Sequence, residues 1–209
     1  MDKIKLIKEA IEKADKFESK LSNDVLAIGG FTSDKIRHLL NNLGALSKNV
    51  FEIGSHRGST FCSAIYDNDN IRIATCCDNF TEFDDGTVRQ ALISNTENFK
   101  PKNCLLTFIE KDCFTITENE LPKSIDLYIF DGAHDYESQR KAFTYFRDFL
   151  ADECIVIVDD FNWDIVKQGT QDGINQCGFK LQFQKHLGFG MESDSNGWWN
   201  GLLIGLIKK

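Results

Sequence analysis

Long apolar runs and proline are both scarce in this chain of 209 residues. No apolar stretch approaches the roughly 20 residues that a bilayer-spanning helix needs, so we expect no membrane span. The N-terminus leads into an amphipathic pattern and not into the apolar segment of a signal peptide, which favours a cytoplasmic location. The only prolines are Pro101 and Pro122, and no Gly/Ser-rich linker is present. We therefore expect one globular unit.

Paired metal-ligand spacings are missing among the seven cysteines. Cys76 and Cys77 are adjacent in a strand pattern, where neighbouring side chains point to opposite faces of a sheet. Four others lie in or beside apolar runs: Cys62, Cys104, Cys113 and Cys154. This usage is typical of reduced core thiols in a cytoplasmic protein.

An excess of positive charge is also lacking. The chain has 24 Lys and Arg against 32 Asp and Glu, a formal net charge of −8. This balance argues against nucleic acid as a partner, because a phosphate backbone is bound mainly by basic side chains. The same balance does not exclude a small anionic substrate, and a homodimer is left open.

Strand and helix patterns alternate through most of the sequence. We predict helices over 3–21, 33–46 (capped by Ser33 or Thr32), 59–66, 87–98 and 136–150, and strands over 49–53, 72–77, 105–110, 125–130, 154–158, 179–185 and 201–207. Uninterrupted apolar strands between helices are typical of a parallel sheet covered on both faces. The last two strands have no long helix between them and are expected to pair as a hairpin. The fold class is therefore α/β: a Rossmann-like, doubly wound seven-stranded sheet, mostly parallel with an antiparallel C-terminal hairpin, plus N-terminal helices. We divide the chain into an N-terminal helical extension, 1–48, packed on a core of 49–209.

A glycine-rich turn follows the first predicted strand. Gly54 and Gly58 allow a ligand to approach the backbone ahead of the next helix. Glu52 places a negative charge where the pyrophosphate of a dinucleotide would lie, and it suits a nucleoside carrying positive charge. His56 stands where the second glycine of Gly-x-Gly-x-x-Gly would be, so an NAD-binding oxidoreductase is a weaker alternative.

Nearly every predicted strand of the parallel part ends at an acidic residue. These residues are Glu52, Asp78, Asp112, Asp131, Asp159 and Asp160. Ligands of open α/β sheets bind at these ends, although Asp also favours turns and caps. Asp131, Asp159 and Asp160 follow two apolar strands that are expected to be neighbours. Three converging carboxylates repel one another unless a cation such as Mg²⁺ or another divalent ion neutralises them; a capping Asp159 and a solvated Asp160 are the alternative.

The segment Glu52-Ile53-Gly54-Ser55-His56-Arg57-Gly58-Ser59 resembles the first motif of class I S-adenosylmethionine-dependent methyltransferases, in the form that catechol O-methyltransferase carries. Three further segments resemble a bacterial branch that methylates sugars and other small molecules: Gly30-Phe31-Thr32 before the second helix, Asp131-Gly132-Ala133-His134-Asp135-Tyr136-Glu137 and Gly197-Trp198-Trp199-Asn200-Gly201. The resemblance covers the chain from about residue 25 to its end and identifies 49–209 as the methyltransferase domain.

The resemblance implies a role for each matching residue. Glu52, Gly54, Ser55, Gly58 and Ser59 would hold the methionine end of S-adenosylmethionine. Asp78 would bind the ribose, Asn79 would pack nearby, and Asp112 and Cys113 would lie at the adenine. Asp131 would contact the cofactor and, with Asp159 and Asp160, hold the metal ion.

His134 is the candidate general base, because an imidazole titrates near neutral pH. A cofactor contact or a structural hydrogen bond are the other interpretations of this residue. The expected reaction is O-methylation of a small hydroxylated acceptor, a sugar or related metabolite, assisted by Mg²⁺. A non-methylating, hydroxylase-like relative and a cofactor-binding protein without catalysis are the alternatives.

Overall fold

One mixed sheet forms the centre of the computed structural model, which describes residues 2–189 and 196–209. Its strands are β1 (Asn49–Ile53), β2 (Ile73–Cys77), β3 (Leu105–Ile109), β4 (Ile125–Phe130), β5 (Leu150–Val158), β6 (Lys180–Leu187) and β7 (Leu202–Lys208). They lie in the order β3-β2-β1-β4-β5-β7-β6. β1 to β5 are parallel, and β7 runs antiparallel to both β5 and β6. The predicted fold class, including the terminal hairpin, is confirmed.

Helices cover both faces of this sheet. Within the described residues they are α1 (Lys3–Ala14), α2 (Asn23–Leu26), α3 (Asp34–Gly44), α4 (Ser59–Ile65), α5 (Val88–Phe99), α6 (Tyr136–Thr144) and α7 (Asp164–Gln176), with a short 3₁₀ helix at Cys113–Thr115. Side chains of α1, α3, α4 and α5 share one apolar core with the sheet, and those of α6 and α7 share the other. None of these described helices has the length and apolarity that crossing a bilayer requires.

Successive side chains of a strand point to opposite faces of the sheet, and this alternation decides which of the two cores each side chain enters. Val50 and Cys76 belong to the core under α3 and α4, whereas their neighbours Phe51 and Cys77 belong to the core under α6. The predicted opposite orientation of the two adjacent cysteines is therefore confirmed. All seven cysteines are free thiols.

Two predicted helices end earlier than expected. The first stops at Ala14, and Phe17 adopts a positive φ of 57° and is exposed, although its spacing had predicted a buried position. The helix predicted over 136–150 ends at Thr144, because Leu150 already begins β5. In both cases an apolar residue near a helix end continues the pattern without continuing the helix.

The helix α7 was not predicted. Its glycines lower intrinsic helix propensity, which hides the pattern in the sequence. In the structure the absence of a side chain at Gly169 is required, since a Cβ there would lie 2.6 Å from the carbonyl oxygen of Tyr136. Close packing of α7 on α6 therefore explains both the glycine and the missed element.

Candidate active site

The carboxyl ends of β1 and β4 meet at the glycine turn. Gly54 has a φ of 85°, and a Cβ on it would lie 1.7 Å from the carbonyl oxygen of Asp131. The amide of Gly54 donates to the carbonyl of Cys77 at 2.9 Å, and that of Asp131 donates to Ile53 at 2.9 Å. Only glycine fits this position, so the turn brings the backbone after β1 against the acid that follows β4.

Glu52 is fully buried beneath this turn. Neither of its carboxylate oxygens has a hydrogen-bond partner among the described residues. Burial raises the pKa of Glu52 to about 8, and the nearby hydroxyls of Thr60 and Ser55 oppose that shift only in part. A buried acid without a partner is costly, so Glu52 is suited to a cationic ligand entering from the crevice.

Asp78 connects two loops at the end of β2. One carboxylate oxygen accepts the amide of His56 at 2.7 Å, and the other accepts the amide of Phe80 at 2.8 Å. Asn79 is exposed, and its side-chain oxygen accepts the amide of Thr81 at 3.2 Å. The ribose role of Asp78 stays a prediction; the contacts show that this carboxylate links the glycine turn to the loop after β2.

The residues predicted at the adenine begin the 3₁₀ helix after β3. Asp112 is exposed and accepts the amide of Phe114 at 2.9 Å, which is an N-cap contact. Cys113 is half-buried, and burial raises the pKa of its thiol to about 12. It therefore offers a neutral, weakly polar surface at neutral pH. Their contact with adenine stays a prediction.

The strand ends of β4 and β5 bring the predicted acids together. Phe130 pairs with Val158 in the parallel register, so Asp131 and Asp159 leave the sheet side by side. One ligand atom each from Asp131, His134 and Asp160 lies within 4.8 Å of the others, a group called the acid–imidazole cluster below. Asp159 is buried beside it but is not a member. The sequence grouped Asp131 with Asp159 and Asp160; the structure adds His134 to that neighbourhood.

Burial, together with the charges of neighbouring carboxylates, sets the electrostatics of this region. Burial, followed by the charges of Asp159 and Asp160, raises the pKa of Asp131 well above its usual range. Burial and the charge of Asp160 raise the pKa of Asp159 to about 7. The contact with Asp160 raises the pKa of His134. All three shifts show a site that accommodates a proton or another cation.

Buried polar atoms without a partner concentrate at this crevice. Besides those of Glu52, they are Thr32 Oγ1, Ser55 Oγ, His56 Nδ1, His134 Nε2, Asp159 Oδ1 and Asp160 Oδ1, with Thr75 Oγ1 on β2 the remaining one among the described residues. Thr32 was one of two predicted helix caps, and Ser33 fills that role by accepting the amide of Ile36. Buried polar groups are normally paired, so this concentration is consistent with the sequence-predicted cofactor and metal sites.

A segment ahead of α3, residues 27–33, lies directly on the glycine turn. A Cβ on Gly30 would lie 2.1 Å from the hydroxyl oxygen of Ser59. Arg37 is buried and donates to the carbonyl oxygens of Leu26 and Ile28, at 2.8 and 3.3 Å. These contacts hold the start of the segment in place. The family resemblance includes Gly30-Phe31-Thr32 but did not predict this contact with the turn, for which the glycine pair before α3 was the available signal.

Exposed aromatic side chains surround the mouth of the crevice. Phe31 is 59% exposed and Phe83 is 71% exposed, with ring centroids 5.4 Å apart. Phe31 also contacts the ring of His56 at 5.2 Å, while Trp163 contacts that of His134 at 4.8 Å. Trp198, by contrast, is buried in the core. The crevice therefore has an acidic floor and an apolar rim.

Similar folds occur in solved methyltransferases. An O-methyltransferase from Bacillus cereus, solved with SAH, has 13% identity and a TM-score of 0.59 over 98% of this chain and 91% of its own. The O-methyltransferase TomG from Streptomyces achromogenes, solved with SAM, has 15% identity and a TM-score of 0.60 over 96% and 90%. PH1948 from Pyrococcus horikoshii, described as an RNA methyltransferase, has 15% identity and a TM-score of 0.58 over 97% and 96%. These similarities show the fold.

The family is shown by the sequence itself. No curated protein matches this chain. The profile described as "Methyltransferase domain" matches residues 51–161, which is more than half of the chain. The matched segment runs from β1 through the glycine turn to the residue after Asp160 and so includes the whole acid–imidazole cluster. The protein therefore belongs to the methyltransferase-domain family and is a class I S-adenosylmethionine-dependent methyltransferase, as its first motif predicts.

Proposed function

We propose that this enzyme methylates an oxygen atom of a small hydroxylated acceptor, such as a sugar or a related metabolite, with the help of a divalent cation. The observation that carries the proposal is the set of buried, unpaired polar atoms at the ends of β1, β4 and β5. Those at β1 match the cofactor half of the crevice, and those at β4 and β5 match the acceptor half.

The residues of β1 and its turn bind and orient the cofactor. Bound S-adenosylmethionine supplies an electrophilic methyl group on a positively charged sulfur. Glu52 offers two unpaired oxygens to the cationic methionine end, and the Ser55 hydroxyl lies beside them. The backbone at Gly54 is open to close approach. Together these groups would hold and orient the cofactor beside the ends of β4 and β5.

The acceptor hydroxyl loses its proton at the acid–imidazole cluster. Transfer forms a carbon–oxygen bond on the acceptor, breaks a carbon–sulfur bond of the cofactor and releases one proton. A divalent cation held by Asp131, Asp159 and Asp160 would supply Lewis acidity and lower the pKa of an acceptor hydroxyl. His134 is the candidate to take the proton in the absence of a cation.

A small acceptor fits this crevice better than nucleic acid does. The net charge is −8, and the floor of the crevice carries Glu52, Asp131 and Asp160. The net charge of −8 would repel a polyphosphate backbone. The exposed rings of Phe31, Phe83 and Trp163 give the mouth an apolar lining that suits the face of a sugar or another ring.

Calorimetry with S-adenosylmethionine tests the cofactor half first. We expect saturable binding to the wild-type protein and a loss of more than about tenfold in affinity for Glu52→Gln, since a neutral amide cannot balance the cofactor's charge. Glu110→Gln is the matched control, because Glu110 is exposed and pairs with Arg89 at 2.8 Å. Absence of binding to the wild-type protein would refute the proposal.

Methyl transfer to a panel of sugars and phenols, with and without a chelator, tests the acceptor half. Incorporation of the labelled methyl group into a hydroxyl supports O-methylation, and its loss on chelation supports the cation. Cofactor binding without transfer to any class of hydroxylated acceptor would favour the binding protein without catalysis. Oxidation of an acceptor without methyl incorporation would favour the hydroxylase-like alternative.

A further inference from the structure

His134 has two candidate roles that exclude each other, because one ring nitrogen cannot accept a proton and hold a cation at the same moment. We propose that His134 Nε2 is a direct ligand, with Asp131 and Asp160, of a divalent transition-metal ion such as Mn²⁺, which this cluster binds in preference to Mg²⁺. The inference deepens the proposed function, on which its catalytic meaning rests, and it changes both the ligand set and the metal expected from the sequence.

The position of the imidazole supports a ligand role. Nε2 lies 2.8 Å from Asp160 Oδ2. Adjacent ligands of an octahedral ion with bonds of about 2.1 Å lie roughly 3.0 Å apart. The observed separation therefore needs to widen by only a few tenths of an ångström to admit the ion. The limit of 4.8 Å across Asp131, His134 and Asp160 also allows all three to reach one centre.

The contact between the two side chains supports the same interpretation. His134 Nε2 and Asp160 Oδ2 lie at ion-pair distance, yet Nε2 is a buried atom without a conventional hydrogen bond. Two ligand atoms of one metal ion also lie in contact without a hydrogen bond between them.

A second unpaired atom lies in the same cluster. Asp160 is only 7% exposed, and its other oxygen, Oδ1, is buried without a partner. A buried carboxylate oxygen left without a donor costs free energy that a bound cation would recover. The cluster is thus more than a group of exposed acids, because it contains a buried oxygen whose hydrogen-bonding capacity the described residues do not use.

Neighbouring groups hold the ring in place. Trp163 packs edge-on against the His134 ring, with centroids 4.8 Å apart. The amide of Trp163 donates to the carbonyl of Asp160 at 3.1 Å, so that one turn positions both the carboxylate and the indole. Metal-ligating imidazoles are commonly fixed by such surrounding contacts. His134 is therefore oriented by the segment that supplies its fellow ligand.

The composition of the cluster decides which ion it prefers. Mg²⁺ favours oxygen ligands and keeps several waters, whereas imidazole nitrogen suits transition metals. Two carboxylates with one imidazole form a mixed set, for which Mn²⁺ is a suitable probe because it accepts both donor types. An all-carboxylate set of Asp131, Asp159 and Asp160 would instead bind Mn²⁺ little more tightly than Mg²⁺.

Titration of the cofactor-free protein with MnCl₂ and, separately, with MgCl₂ tests the inference without an activity assay. We expect Mn²⁺ to bind more than about tenfold tighter than Mg²⁺. Pulsed electron paramagnetic resonance of the Mn²⁺ complex should show coupling to a directly bound ¹⁴N. The His134→Gln variant should lose that coupling, and its affinity for Mn²⁺ should fall more than its affinity for Mg²⁺. His186→Gln is the matched control, since His186 contacts Asn162 at 2.9 Å outside the cluster.

The possible outcomes distinguish a failure of this inference from a failure of the proposed function. Mn²⁺ binding without nitrogen coupling, or with coupling that His134→Gln retains, would overturn the ligand role. Equal affinity for the two ions, or no binding of either, would overturn the proposed preference. The proposed function fails on a different measurement, the binding of S-adenosylmethionine to the chelated protein. Circular dichroism of both variants verifies that they are folded.

Discussion

Glu52 shows how one buried charge is coupled to the ligand that the fold is built to receive. The carboxyl lies between strands with no hydrogen-bond partner among the described residues, and burial raises its pKa to about 8. The unfolded chain exposes the same group to water at an ordinary pKa of 4.5. The difference makes the stability of the protein depend on pH.

The sign of this dependence follows from proton binding. Between about 4.5 and 8 the folded protein holds a proton on Glu52 that the unfolded chain has lost. The contribution of this group is therefore fully present below about pH 4.5 and is lost as the pH rises through about 8. We expect the free energy of unfolding to fall by up to about 1.4 kcal/mol per pH unit in this window.

Urea denaturation of the wild-type protein and of Glu52→Gln from pH 5 to 9 measures that slope. The variant lacks one of the titrating groups and should show a shallower decline, while Asp131 and Asp159, whose pKa values burial also raises, keep the rest of it. Glu110→Gln should keep the wild-type slope, since Glu110 is exposed. Parallel curves for wild type and Glu52→Gln would contradict the assignment.

Gly54 carries the steric requirement of the site. Gly54→Ala forces a Cβ to within 1.7 Å of the Asp131 carbonyl oxygen at a φ of 85°. We expect a loss of more than about 3 kcal/mol in unfolding free energy or no folded protein. Gly178→Ala is the matched control, because Gly178 also has a positive φ, 69°, but nothing lies within 4 Å of its Cβ position. That variant should lose only about 1 kcal/mol, and equal losses would show that steric contact is unimportant at Gly54.

At the scale of elements, Ser33 joins α3 to the turn before β7. Its buried hydroxyl accepts the amide of Ile36 at 3.2 Å and donates to the carbonyl of Gly197 at 2.6 Å. The residue therefore caps a helix and links two segments that are far apart in the sequence. The 27–33 segment over the glycine turn ends at this link.

Ser33→Ala should cost about 2–3 kcal/mol of unfolding free energy, since it removes a cap and leaves a buried carbonyl unpaired. Chemical denaturation gives the loss. Ser22→Ala removes a weaker cap, a 3.4 Å contact on the four-residue α2, and should cost less than about 1 kcal/mol. A Ser33→Ala loss no larger than that of Ser22→Ala would show that the Gly197 link does not matter.

For the whole molecule, the parallel strand ends form one binding surface, so ligand binding must stabilise the global fold. S-adenosylmethionine at about 100 times its dissociation constant should add roughly 2.7 kcal/mol, which corresponds to a Tm increase of about 5–10 °C for a chain of this size. Differential scanning calorimetry measures the shift. NADH at the same concentration should leave Tm unchanged, and a larger shift with NADH would support the dinucleotide alternative.

Much of this architecture can be predicted because local patterns of apolar and turn residues specify it. β1 and β4 have the predicted bounds, since a short apolar run between turn residues permits few other structures. The ends of the helices at Ala14 and Thr144, and the whole of α7, could not be predicted, because packing between elements decides them. The position of His38 shows the same limit: no local pattern indicates that this helical histidine is buried and contacts Ser19 at 2.7 Å.

The sequence by itself determined the α/β class, the first motif around Glu52 and Gly54, and the acids at the strand ends, because each depends on residue type and short spacing. Only the tertiary structure decided which of these acids meet. It placed His134 against Asp160 and Gly30 against Ser59, through backbone conformations and inter-element contacts that no local pattern contains. The cause is physical: chain direction and strand alternation are local, whereas the convergence of side chains on one point depends on register, close packing and the desolvation of charge.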